Sequence, residues 1–106
     1  MEFNKIQKII YETAVSHGWH DIETNFPTFL MLTVSELSEA LQEYRTYYGD
    51  QEIDQKIKQA NIEIELADTV IRIMDYCEHN AIGLEGRILQ KNEYNKTRPY
   101  RHGKLL

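Results

Sequence analysis

The segment from Asp50 to Asn80 decides the fold, and it reads DQEIDQKIKQANIEIELADTVIRIMDYCEHN. Its apolar residues recur at alternating steps of three and four, which places side chains on one face of an α-helix. This first stripe consists of Ile53, Ile57, Ala60, Ile64, Ala67, Ile71 and Met74. A second stripe lies on a different side and consists of Ile62, Leu66, Val70, Ile73 and Cys77. The pattern predicts a long helix, capped by Asp50 and stopped by Gly83, that is buried on most of its circumference.

Three shorter helices are predicted around this long helix. We place them at about Glu2 to His17, Pro27 to Tyr48 and Leu84 to Tyr94. Gly18 is a plausible end for the first of them, and Pro99 prevents a simple continuation of the last. Because no segment shows the period-two alternation of a strand, we predict an all-α fold, a small bundle of about four helices. Residues 1–106 are expected to form a single domain with a basic tail at about 95–106.

The two apolar stripes also bear on assembly. A chain of 106 residues can hardly supply enough apolar cover for both sides of one helix. The long helix is therefore the centre of a small bundle, or its second stripe packs against another copy of the chain, or both. We expect a homodimer or a homotetramer.

Composition limits the class of protein. Apolar residues make up 42% of the chain and charged residues 27%, which excludes a disordered or low-complexity protein. The single cysteine, Cys77, excludes a disulfide within the chain and a zinc site built from cysteines. The longest apolar run, Phe29 to Leu32, is too short to span a bilayer, and the first ten residues do not resemble a signal peptide. We expect a soluble, cytoplasmic protein with no membrane partner.

Charge is distributed unevenly along the chain. The segment from Gly86 to Leu106 holds six cations and one anion, so it carries +5, and the net charge of -5 leaves -10 for the rest. An acidic body is a poor surface for nucleic acid but a suitable one for cations. A nucleic-acid partner is therefore not expected. On charge alone, acidic helices that maintain solubility and a solvated basic tail explain the same distribution.

Two pairs of carboxylates carry the chemistry. Glu36 and Glu39 lie three residues apart on the second predicted helix, as do Glu65 and Asp68 on the third. If these helices pack antiparallel, the four carboxylates converge and repel one another, and a bound hard cation would relieve the repulsion. Ligands that are all oxygen, with no histidine, indicate Mg²⁺ or Mn²⁺. The alternative is that these are ordinary solvent-facing carboxylates, and for a single pair it would be the better interpretation.

These residues carry a resemblance to a known family. The order Glu-x-x-Glu then Glu-x-x-Asp, with 25 residues between Glu39 and Glu65, resembles the signature of the MazG-like all-α nucleoside triphosphate pyrophosphohydrolases. The segment from Lys91 to Lys104, KNEYNKTRPYRHGK, is similar to the carboxy-terminal segment of short members. The similarity covers Phe26 to Lys104.

The resemblance implies hydrolysis of a nucleoside triphosphate, or its deoxy form, to the monophosphate and pyrophosphate, as nucleotide-pool housekeeping. It implies Mg²⁺, or Mn²⁺, held by Glu36, Glu39, Glu65 and Asp68, with Glu39 also orienting or deprotonating the attacking water. It places Lys91, Asn95 and Arg98 against phosphates. Related enzymes hold the base with aromatic residues in two regions where this chain has His20 and Tyr47.

The sequence also permits other interpretations. Trp19 and Tyr48 either belong to the base site or fill the core. Histidines 17, 79 and 102 share no spacing and are given no role. The main alternative to an enzyme is a non-catalytic helical protein-interaction module. In that case the two carboxylate pairs are solvated and the second apolar stripe binds a partner. A third interpretation is a nucleic-acid binder that acts through the tail.

Overall fold

The residues that the structure describes form a small bundle of four α-helices. A computed structural model describes residues 2–46 and 55–103, and its helices are α1 (Phe3–Ser16), α2 (Phe26–Thr46), α3 (Gln55–His79) and α4 (Leu84–Lys96). A short 3-10 helix (Tyr100–Gly103) follows Pro99. The described ranges contain no strand, which confirms the predicted all-α class. The predicted end of the second helix at Tyr48 and the cap Asp50 lie outside the described residues.

The central element is α3, because both α1 and α2 pack extensively against it, whereas α4 does not. The direction of α2 relative to α3 follows from two side-chain pairs. Glu36 contacts Arg72, and Glu43 contacts Asn61, so later positions on α2 meet earlier positions on α3. The two helices are therefore antiparallel, as the convergence of their carboxylates requires.

The core of the single chain is thin. In the described part of the chain, the buried apolar residues are Met74 and Cys77, both on α3. The apolar stripes of α3 are largely open, since Ile64 is 57% exposed and Val70 is 51% exposed. One chain alone thus leaves both stripes of this helix partly open, as expected for a chain of this length, and their burial against a second copy stays a prediction. The physical reason is that α1 and α2 cover only part of its surface, and α4 does not cover the rest.

A buried polar contact ties α1 to the far end of α3. Gln7 is buried, and its Nε2 donates to Glu78 Oε2 at 3.1 Å and to the backbone oxygen of Ile82 at 3.4 Å. The amide thus replaces water for groups near the end of α3. No described helix is long and apolar enough to cross a lipid bilayer.

Two helix ends use the same hydrogen-bonded turn. After α1, Gly18 has a φ of 80°, and the N–H of Trp19 donates to Ala14 O while that of Gly18 donates to Val15 O. This pair of bonds is the Schellman motif, and it confirms Gly18 as the helix end.

The same motif closes α3, but with alanine in the left-handed position. Ala81 has a φ of 55°, and the N–H of Ile82 donates to Cys77 O at 2.7 Å. The predicted stop at Gly83 is therefore wrong, because Gly83 has a negative φ and instead precedes α4. The sequence rule expected glycine at a position that a less suitable residue occupies here.

Candidate metal centre

Three of the four predicted carboxylates meet where α2 packs on α3. One carboxylate oxygen from each of Glu36, Glu65 and Asp68 lies within 4.8 Å of the others. Their spacing explains the meeting, since residues three apart share a helix face and the antiparallel packing turns the two faces toward each other. Glu36 is buried, while Glu65 and Asp68 are half-buried.

Glu65 has the most unusual environment in this triad of Glu36, Glu65 and Asp68. Its Oε2 is buried and has no hydrogen-bond partner. Desolvation, followed by the interaction with the Glu39 carboxylate and then with Glu36 and the charge of Asp68, raises the pKa of Glu65 from 4.5 to about 7. A buried oxygen with no partner is costly, so this carboxylate is suited to accept a proton or a cation.

The fourth predicted ligand, Glu39, stands at the edge of the triad. It is exposed, and it is close enough to Glu65 to raise the pKa of that residue. It does not belong to the set of oxygens that approach within 4.8 Å. The described geometry thus gives three converging ligands with one carboxylate beside them.

The triad suits a hard divalent cation in both chemistry and size. Opposite ligands of Mg²⁺ are about 4.2 Å apart, which is twice the Mg–O distance of about 2.1 Å. The 4.8 Å limit on the triad's oxygens is slightly wider, so small side-chain rotations would bring them to coordinating distance. Magnesium keeps several water ligands, and three protein carboxylates leave positions for water and for phosphate oxygens.

A cation already contacts one member of the triad. Arg72 Nε donates to Glu36 Oε1 at 2.7 Å, and the two side chains are 38% and 12% exposed. Arg72 follows Asp68 by one helical turn on α3, so it lies on the same face as the triad. It balances part of the negative charge and fixes one oxygen of Glu36.

A cavity of about 670 Å³ opens beside the triad, between the loop after α1 and the facing sides of α2 and α3. Glu36, Asp68 and Arg72 line one part of it. Four aromatic rings and two histidines contribute to the rest, together with Glu23, Asp75 and several smaller side chains. The Phe29 and Tyr76 rings stack with centroids 4.0 Å apart. The cavity therefore joins a charged end to a flat, largely aromatic end.

The predicted base-binding residue His20 lies in the aromatic end. Its Nε2 lies 2.8 and 3.0 Å from the two carboxylate oxygens of Asp75, and its ring stacks on that of His79 at 4.2 Å between centroids. The structure thus brings His20 to the same cavity as Glu36 and Asp68. Trp19 also lines the cavity and is 73% exposed, so the interpretation that it fills the core is wrong. Tyr47 and Tyr48 lie outside the described residues.

The basic residues predicted to contact phosphate lie elsewhere in the chain. Lys91 is exposed, and its Nζ lies 4.6 Å from the centre of the Tyr94 ring. Asn95 is half-buried with no partner for its Oδ1, and the Arg98 guanidinium lies 5.8 Å from the same ring centre. Lys91 and Asn95 share one side of α4, where both line a shallow depression. None of the three lines the cavity beside the triad.

Sequence reasoning gave no role to several residues that line the cavity. His79 lies one turn after Asp75 on α3, and its Nδ1 is 3.1 Å from the Tyr11 hydroxyl. The signal was present in the sequence, because Asp68, Arg72, Asp75 and His79 follow one another at steps of three and four. The position of the loop that carries His20 could not be predicted from the sequence.

Comparisons with known proteins add no relative. No family model matches the chain, and neither the curated proteins nor the solved structures contain a match.

Proposed function

We propose that this protein is a magnesium-dependent nucleoside triphosphate pyrophosphohydrolase, which cleaves a nucleoside or deoxynucleoside triphosphate to the monophosphate and pyrophosphate. One observation carries the proposal. The triad of Glu36, Glu65 and Asp68, with its unpartnered buried oxygen, lies beside a cavity large enough for part of a nucleotide. The resemblance to the MazG-like family supports the same reaction.

The triad would hold the metal. Glu36, Glu65 and Asp68 offer oxygen ligands, Glu39 is the nearest further carboxylate, and Mn²⁺ would fit the same donors. When bound, such an ion neutralises triphosphate charge and lowers the pKa of nearby water.

The remaining work falls to side chains of this chain. Glu39 is exposed beside the triad, so its carboxylate can accept a proton from the water that attacks phosphorus. His20 and the stacked rings of Phe29 and Tyr76 offer flat surfaces for the nucleoside.

The assembly is part of the proposal. The radius of gyration is 17.2 Å, whereas a compact domain of this length has about 13 Å. Both apolar stripes of α3 are half-open, and α4 packs only lightly. These features support a homodimer or homotetramer in which a second copy covers α3. Because Lys91, Asn95 and Arg98 do not line the cavity of their own chain, we assign them to the phosphates of a site in that second copy.

The test is a panel of nucleoside triphosphates with and without Mg²⁺, scored for pyrophosphate and for orthophosphate separately. We expect Mg²⁺-dependent release of pyrophosphate. Glu65→Gln and Asp68→Asn should each lower the rate at least a hundredfold, because each removes a ligand without changing size. Glu63→Gln is the matched control, since Glu63 lies on the same helix outside the triad.

The rival function is a helical interaction module without catalysis, favoured by the exposed apolar residues of α3. It predicts no pyrophosphate with any substrate, and binding of a partner that is indifferent to Mg²⁺ and to Glu65→Gln. That combination would replace the enzymatic proposal.

A further inference from the structure

Arg72 has more hydrogen-bonding capacity than its contact with Glu36 uses. A guanidinium carries five N–H donors in a planar fork, and the Nε–H donates to Glu36 Oε1 at 2.7 Å. Among the described residues, none accepts a hydrogen bond from Nη1 or Nη2 of Arg72. The four N–H groups on these two nitrogens are therefore available to a ligand.

The position of Arg72 suggests which ligand. Of the described residues that line the cavity, Arg72 is the only lysine or arginine. It lies one turn after the triad residue Asp68 and one turn before Tyr76, whose ring belongs to the aromatic end. A ligand that spans the two ends must pass this guanidinium.

We propose that Arg72 is a substrate-binding residue that grips phosphate oxygens through Nη1 and Nη2 while Nε stays on Glu36. This inference rests on the proposed function and identifies the ligand at this point of the cavity as the polyphosphate chain of the nucleotide. Planar, paired N–H donors match the geometry of phosphate oxygens, and such charge-assisted bonds are the strong ones. Arg72 then links the carboxylate that binds metal to the phosphate that the metal neutralises.

A purely structural role for Arg72 makes a different prediction for metal and nucleotide binding. In either role, removal of the guanidinium releases Glu36 and removes a charge that repels a divalent cation, so metal binding alone does not separate the two roles. If the guanidinium only holds Glu36 in place, its removal changes the affinity for a metal-bound nucleotide by the same factor as the affinity for the metal alone. If it also binds phosphate, the affinity for the nucleotide falls by a larger factor.

The experiment measures two affinities on the full chain. The first is the affinity for Mn²⁺ alone, and the second is the affinity for Mg²⁺ with a nucleoside triphosphate whose α–β bridging oxygen is replaced by an imido group. In Arg72→Gln we expect the affinity for the analogue to fall about ten- to a hundredfold beyond any change in the affinity for Mn²⁺. Lys8→Gln, which removes the same charge from an exposed position on α1, should change neither affinity.

Arg72→Lys keeps the charge and loses the fork, so it should bind the analogue with intermediate affinity, and it serves if Arg72→Gln does not fold. Changes of equal factor in the two affinities, or undiminished analogue binding, would overturn the proposal, as would a wild-type protein that does not bind the analogue. Failure of the proposed function is separate. A wild-type protein that binds the analogue through Arg72 but releases no pyrophosphate retains this site and loses the reaction.

Discussion

At the scale of single residues, Glu65 links stability to pH and to metal. In the folded protein its pKa is raised to about 7 from 4.5, so between these values the folded state holds a proton that the unfolded chain has released. Stability from this group is present below pH 4.5 and is lost as the pH rises to about 7. Glu65 therefore contributes least to the stability of the metal-free protein above pH 7.

We expect Glu65→Gln to become more stable relative to wild type as the pH rises from 5 to 8, because the amide never ionises. Stabilisation of the wild type by Mg²⁺ should grow over the same range, since the ion no longer competes with a proton. Thermal denaturation at several pH values, with and without Mg²⁺, measures both effects. Glu63→Gln should show a constant difference from wild type, and a constant difference for Glu65→Gln as well would contradict the assignment.

How much of the site was predictable also depends on residue-scale physics. The triad followed from spacing, since carboxylates three apart on a helix share a face whatever the tertiary structure. The contact of Arg72 with Glu36 could not be predicted from spacing, because it depends on how closely the two helices approach. This holds although Arg72 lies on the same face of α3 as Asp68. His20 was assigned through the resemblance alone, and its contact with Asp75 depends on the path of a loop.

At the scale of elements, the helix positions were predictable, but the residue that closes α3 was not. The apolar period placed all four helices, and the predicted ends of α1 lie within one residue of the observed Phe3–Ser16. The predicted end of α3 at about Asn80 lies within one residue of the observed His79, but Gly83 was the wrong stop residue, because the preference for glycine in the left-handed turn is statistical and Ala81 adopts that turn here.

The left-handed alanine gives a prediction for the end of α3. A residue with a Cβ is disfavoured at positive φ by about 1–2 kcal/mol, and part of this is returned as chain entropy when glycine replaces it. We expect Ala81→Gly to raise the free energy of unfolding by about 0.5–1 kcal/mol. Denaturant unfolding measures the change. The control Ala14→Gly, inside α1, should instead destabilise the protein. A loss of stability in Ala81→Gly would show that the positive φ of Ala81 is not strained.

At the scale of the whole molecule, the proposed assembly depends on the open apolar surface of α3. Ile64 is 57% exposed in one chain, so a charge there would be harmless to a monomer. In the proposed oligomer it would be buried against a second copy, and Ile64→Asp should therefore produce monomers. Analytical ultracentrifugation at micromolar concentration makes the comparison, with Glu63→Gln as the control. A monomeric wild type would remove the oligomer from the proposal.

A second prediction at this scale concerns sites shared between chains. If Lys91 serves the carboxylates of another copy, Lys91→Ala and Glu65→Gln are each inactive alone but complement each other when mixed. Half of randomly formed dimers are mixed and have one intact site of two, so about a quarter of full activity should return. Unfolding and refolding the mixture permits exchange, and pyrophosphate release measures it. No recovery would show that Lys91 acts within its own chain or not at all.

Labelling of the Cys77 thiol can measure how often the core of this protein opens. It is 5% exposed, and desolvation raises the pKa of its thiol. Alkylating reagents need an accessible thiolate, so they react only in molecules whose core has transiently separated. The chain has no other cysteine, and a single labelling rate therefore measures the open population. If a second copy covers α3 and limits opening of the core, the labelling rate will fall as the protein concentration rises. A rate that does not depend on concentration would show that each chain keeps its own core closed.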